Sequence, residues 1–129
     1  MKSIWLTLGL SVCIFSSAMA QESKVIVDND KIKITQFTSN PGGDVCGAGM
    51  HSHHDHGNIL MTDAKIETTY PDGSTYIGIY DVKKHQMTIE KNGKQQVISS
   101  YGAFWAQGET HEVKNIGNKP LVYYMIETK

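Results

Sequence analysis

The sequence predicts a small all-β domain, a barrel or sandwich of roughly nine or ten short strands. Three observations carry that expectation. Short segments with period-2 alternation or β-branched and aromatic enrichment recur at intervals of about 8 to 12 residues. Turn signals separate them: Asn29-Asp30, Pro71-Asp72-Gly73 and Asn92-Gly93. From Gln21 onward, no run of about ten or more residues repeats apolar positions at the 3, 4 and 7 spacing of an amphipathic helix.

The elements follow in order. Residues 25–28 and 31–37 flank Asn29-Asp30, as a hairpin requires. After the Asn40-Pro41-Gly42-Gly43 loop come 59–61 and 65–70, then the Pro71-Asp72-Gly73 turn and 75–80, where Tyr76, Gly78 and Tyr80 alternate with Ile77 and Ile79. Residues 87–90 and 94–99 flank Asn92-Gly93, the strongest short hairpin signal in the chain. Segments 101–106, 111–114 and 121–127 complete the series, with Phe104, Trp105, Tyr123 and Tyr124 expected in the core and wall. No linker or low-complexity stretch divides the chain.

Residues 1–20 stand apart. Lys2 gives a positive start, 4–15 are largely apolar, and Ala18-Met19-Ala20 is a small-x-small cleavage site. The apolar stretch is short of the about 20 residues a membrane span needs. Cys13 follows Val12 rather than a small residue, which disfavours lipid attachment. The expectation is therefore a signal peptide at 1–20, a single β domain at 21–129, and a periplasmic or secreted product with no membrane association after cleavage. Removing Lys2 moves the formal charge from −1 to −2 and leaves Cys46 as the one thiol, so no disulfide can form within the mature chain.

Composition narrows the chemistry. Twelve basic residues oppose thirteen acidic ones, which argues against a polyanion-binding surface and against nucleic acid as a partner. Every basic residue is Lys, so no guanidinium fork is available for a carboxylate or phosphate. No nucleophile elbow, phosphate-cradling loop or H-E-x-x-H pattern occurs. The histidines are distinctive instead: four of six are His51, His53, His54 and His56.

In a strand, residues i and i+2 share a face about 6 to 7 Å apart, so His51 and His53 can aim at one point. Two imidazole nitrogens make two legs of a transition-metal site. A third leg is available in Gly108-Glu109-Thr110-His111, where His111 follows a turn and opens a strand. Strict alternation puts His56 on the other face, from which a bulge or loop could return it as a fourth ligand. His54, Asp55 and His85 read as surface residues, as do Glu109 and Glu112, with a catalytic base or replacement ligand as the alternative role for either Glu. Cys46 reads as a small buried hydrophobe, with a thiolate near the metal as the alternative. A blue-copper site is excluded because no His precedes Cys46.

These residues resemble the two metal-binding motifs of the cupin superfamily, small β-barrels that hold a metal between them. His51-Ser52-His53 matches the H-x-H of the first motif, and Gly108-Glu109-Thr110-His111 with Asn115 matches the second, with Ala106 in place of its Pro. The resemblance spans about 25–127 and implies a jelly-roll-like cupin barrel. The first motif's Glu is replaced by Gly57 or Asn58, leaving the three-His set of His51, His53 and His111, with His56 a candidate fourth ligand. The resemblance implies one divalent transition metal (Fe, Mn, Ni, Zn or Cu) and a small-molecule ligand or substrate. It also allows a homodimer, since small cupins often pair their barrels. The leading functional expectation is a metal-dependent enzyme on a small organic substrate, with a three-His dioxygenase as one form. The alternative is a non-catalytic binding protein for metal or small ligand.

Overall fold

The reversals form where side chains replace lost ladder bonds. In the computed structural model, which describes residues 21–99 and 101–129, the Asn29 side chain accepts from the backbone N–H groups of Lys31 (2.9 Å) and Ile32 (3.0 Å). That joins β1 (Glu22–Asp28) to β2 (Ile32–Ser39). Asp72 accepts from Ser74 N–H at 2.8 Å between β5 (Ala64–Thr69) and β6 (Thr75–Asp81). Asp81 accepts from Lys83 and Lys84 before β7 (Gln86–Lys91), closing β6 and β7 as an antiparallel hairpin. Asn92 and Gly93 both take positive φ, as a two-residue reversal into β8 (Lys94–Ser99) demands.

The other strands are β3 (His51–Ser52), β4 (His56–Leu60), β9 (Ala103–Ala106), β10 (Thr110–Asn115) and β11 (Leu121–Thr128). The eleven strands form two antiparallel sheets, β1-β2-β11-β4-β9 and β3-β10-β5-β6-β7-β8. The described residues contain no helix, and so none long and apolar enough to cross a membrane. The expected signal peptide, 1–20, lies outside the described residues.

Alternation decides what fills the space between the sheets. Leu121, Tyr123 and Met125 of β11 face inward, and Phe37 stacks on Tyr123 with ring centroids 5.2 Å apart. Leu60, Ala64, Tyr80 and Val113 meet them from β4, β5, β6 and β10. The same rule turns His111, Val113 and Asn115 inward from β10, and His56, Asn58 and Leu60 inward from β4. Trp105 departs from the expectation of a core residue. It is 57% exposed on the outer side of β9, with its ring near Gly57 on the neighbouring strand. Phe104, one residue earlier, points the other way and borders the interior.

Candidate functional site

Strand pairing brings the two histidine motifs together. His51 lies directly opposite His111 in the β3–β10 ladder, and Thr110 opposite Ser52, whose hydroxyls are 2.7 Å apart. Opposed residues of an antiparallel pair share a face, so both imidazoles project to the same side. His53 N–H donates to the Glu109 carbonyl at 3.0 Å, and Gly108 N–H donates to the Asp55 carboxylate at 2.7 Å, which extends the register past the strand. Gly108 is required there: a Cβ would lie 2.8 Å from the His53 carbonyl oxygen.

Three of the imidazoles have their Nδ1 engaged. His51 Nδ1 meets the Gly49 carbonyl at 2.6 Å, His56 Nδ1 meets the His54 carbonyl at 2.7 Å, and His111 Nδ1 meets the Glu109 carboxylate at 2.9 Å. Carbonyl and carboxylate oxygens only accept, so each Nδ1 carries its proton and each Nε2 is left with a lone pair. His51 Nε2 and His53 Nε2 stand 2.6 Å apart, a separation that needs a proton or a cation between them. Burial, followed by the imidazoles of His51, His56 and His111, pushes His53 down to about 4 despite the opposing pull of Glu109. His53 is therefore neutral near pH 7, as a metal ligand must be.

Ring centroids of His51 and His53 each lie within 5.4 Å of His111. Among the described residues, the His, Cys, Asp and Glu donors that converge are Cys46, His51, His53 and His111, one atom from each lying within 4.8 Å of the rest. The donor set suits a transition ion. His56 is 4% exposed and sits beside His53, centroids 4.8 Å apart, but outside this convergent set. His54 and Asp55 are exposed at the rim, and His85 is exposed and stacked on Tyr101 at 4.6 Å.

One residue plays a part that the sequence alone assigned otherwise. Glu109 does not simply face solvent; its carboxylate orients His111. Glu112 does face outward and pairs with Lys114 at 3.3 Å. Cys46 is partly buried, and burial pushes its thiol up to about 11, against the pull of the Tyr123 hydroxyl 3.8 Å away. Of the two residues at the expected carboxylate position, Asn58 is buried on the inward face of β4 and Gly57 lies under Trp105.

Behind the histidines lies a cavity of about 90 Å³, bordered by His56, Asn58, Thr68, His111 and Cys46. Next to it a second space of about 260 Å³ runs under β6, β7 and β8, bordered by Tyr76, Met87, Ile89 and Ile98. Leu60, Ile66, Tyr76, Phe104, Ala106 and Glu109 border both. Among the described residues, no lysine or aspartate lines either space. Thr68 Oγ1, on the inner wall, is buried with no hydrogen-bond partner among the described residues.

The two antiparallel sheets match known structures in their fold. The chain superposes on a cupin domain protein from Bordetella pertussis Tohama I with a TM-score of 0.59 at 21% identity, over 85% of this chain and 94% of that one. The chain has the cupin fold. An RmlC-like cupin with a double-stranded β-helix fold from Methanocaldococcus jannaschii matches with a TM-score of 0.52 at 9% identity, over 88% of this chain and 84% of that one. The polyketide cyclase RemF from Streptomyces resistomycificus matches with a TM-score of 0.52 at 14% identity, over 86% of this chain and 66% of its own. No protein-family model and no curated protein matches the sequence. At these identities the likeness is one of fold, and the chemistry of this chain has to be read from its own residues.

Proposed function

We propose that this chain is an exported cupin enzyme that holds one divalent transition metal through His51, His53 and His111 and acts on a small, neutral, largely apolar organic molecule. The observation that carries the reading is the convergence of these imidazoles, one of which, His111, lines an apolar interior space. When bound there, a divalent ion supplies Lewis-acid polarisation of a substrate oxygen and, if it is iron, oxidative chemistry of the dioxygenase kind. The protein's own groups do the rest. Glu109 fixes the His111 ring, the walls under β6 to β8 exclude water from an apolar substrate, and Thr68 offers an unused hydroxyl to a substrate polar group. The absence of lysine from those walls favours a neutral molecule over an organic acid.

Untagged protein purified without added metal is expected to have the intact mass of residues 21–129 and to carry one transition-metal ion per chain by elemental analysis. A screen of neutral apolar substrates, with oxygen uptake recorded, is then expected to show turnover. Several loosely held ions without turnover would indicate a metal-capturing protein instead, and metal-free protein would overturn the reading.

The Thr68 hydroxyl gives a separate test. A buried hydroxyl without a partner costs about 1 to 3 kcal/mol of desolvation. Thr68→Val is therefore expected to leave the melting temperature of the metal-free protein unchanged or raise it, while weakening substrate binding. A fall in melting temperature would show that the hydroxyl is already satisfied within the protein.

A further inference from the structure

We propose that Cys46 supplies an anionic fourth donor, so that the metal is held by three imidazoles and one thiolate. This inference rests on the reading that His51, His53 and His111 bind the ion, and adds a group from outside both histidine motifs.

Geometry puts the sulfur within reach. A donor atom of Cys46 lies within 4.8 Å of one from each of the three histidines. The loop that carries it is fixed from below. The Asp44 carboxylate accepts from Cys46 N–H (2.8 Å), from Gly47 N–H and from Gly49 N–H (2.9 Å). Val45 N–H donates to the Val113 carbonyl at 2.7 Å, tying the loop to β10 beside His111. Gly47 and Gly49 both take positive φ, which lets the chain turn back on Asp44 between Cys46 and His51. Cys46 is thus held beside the cluster by backbone bonds.

Charge supplies the reason. Three neutral imidazoles would leave a divalent ion with its full charge in a partly buried space. Asn58 stands where a carboxylate would reduce that charge, and an amide brings none. Glu109, the carboxylate that lines the cavity, is engaged by His111 Nδ1. Cys46 is the remaining member of the convergent set that can carry a negative charge. A thiolate with three imidazoles favours borderline and soft ions such as Zn²⁺, Co²⁺ and Cu over Mg²⁺ or Mn²⁺.

Cobalt titration of metal-free chain 21–129 tests this directly, because Cys46 is its one thiol. Visible d–d bands report Co²⁺ in the site, and a near-ultraviolet thiolate-to-cobalt charge-transfer band reports sulfur ligation. Wild-type protein is expected to show both. Cys46→Ser is expected to keep the d–d bands, lose the charge-transfer band and bind at least about tenfold more weakly. Wild-type d–d bands without the charge-transfer band would overturn the role of Cys46 while leaving the three-His reading intact. Absence of both bands would overturn the three-His reading as well. The wild-type spectrum alone decides, even if the serine variant fails to fold.

Discussion

Replacing His111 by alanine is expected to weaken binding of a divalent transition ion by more than about 100-fold, since loss of a mere orienting partner already costs about 10 to 100-fold. His111 is 7% exposed, faces inward from β10, stands opposite His51 and has its Nδ1 proton committed to Glu109. With Nδ1 carrying the proton, the neutral ring presents Nε2 as its lone-pair donor. Removing the ring leaves His51 and His53, whose i, i+2 geometry gives two donors on one side only. Competition against a chromophoric chelator reads the affinity. Melting of the metal-free variant separates loss of a ligand from loss of fold, and a shift within about 2 kcal/mol is expected. His85→Ala serves as the control, because His85 is exposed and its contact is with Tyr101. Undiminished affinity in the His111 variant would remove the basis of the metal reading.

The parts of this site that were legible in the sequence are those set by spacing within one element. His51-Ser52-His53 needs only strand parity, and His111 needs only a turn ahead of a strand. The face of His56 was not legible because parity does not survive a change of sheet. The ladder breaks at 53–55, β3 belongs to the six-stranded sheet and β4 to the five-stranded one, so the direction of His56 is set afresh by β11 and β9. Glu109 had a readable signal, an i, i+2 relation to His111, but its place next to a turn suggested solvent. The approach of Cys46 had none, because it depends on three backbone bonds to Asp44 that no periodicity encodes.

For the fold, local reversals were legible and distant pairings were not. Each of the three turn signals joins strands that pair with one another: β1 with β2, β5 with β6, β7 with β8. The central position of β11 between β2 and β4 is not encoded in any turn. It follows from burial, since β11 is the strand of its sheet that presents Leu121, Tyr123 and Met125 to the core. Trp105 was misread for a related reason: aromatic character signals a strand without saying which face it occupies.

The second large effect is on stability. Asn115→Ala is expected to destabilise the protein by about 3 to 4 kcal/mol, several times the effect of an exposed substitution. Asn115 is 1% exposed at the inner end of β10. Its Nδ2 donates to the Ser39 carbonyl at 2.9 Å and the Lys119 carbonyl at 3.0 Å, and its Oδ1 accepts from Gly117 N–H at 3.0 Å. One amide thus closes the 115–120 turn and ties it to the end of β2. Alanine takes this donor from the Ser39 and Lys119 carbonyls, at about 1 to 3 kcal/mol for each that water cannot reach, while Gly117 N–H keeps its bond to the Lys65 carbonyl at 3.1 Å. For a domain of this size such a loss lowers the melting temperature by roughly 10 to 20 °C. Asn118→Ala, in the exposed part of the same turn, is expected to shift it by only a few degrees. Asn115 lies four residues beyond His111 and makes no contact with the convergent donors, so folded Asn115→Ala protein should bind metal with unchanged affinity. A variant that melts normally but loses metal would assign Asn115 to the site instead of to the scaffold that holds it.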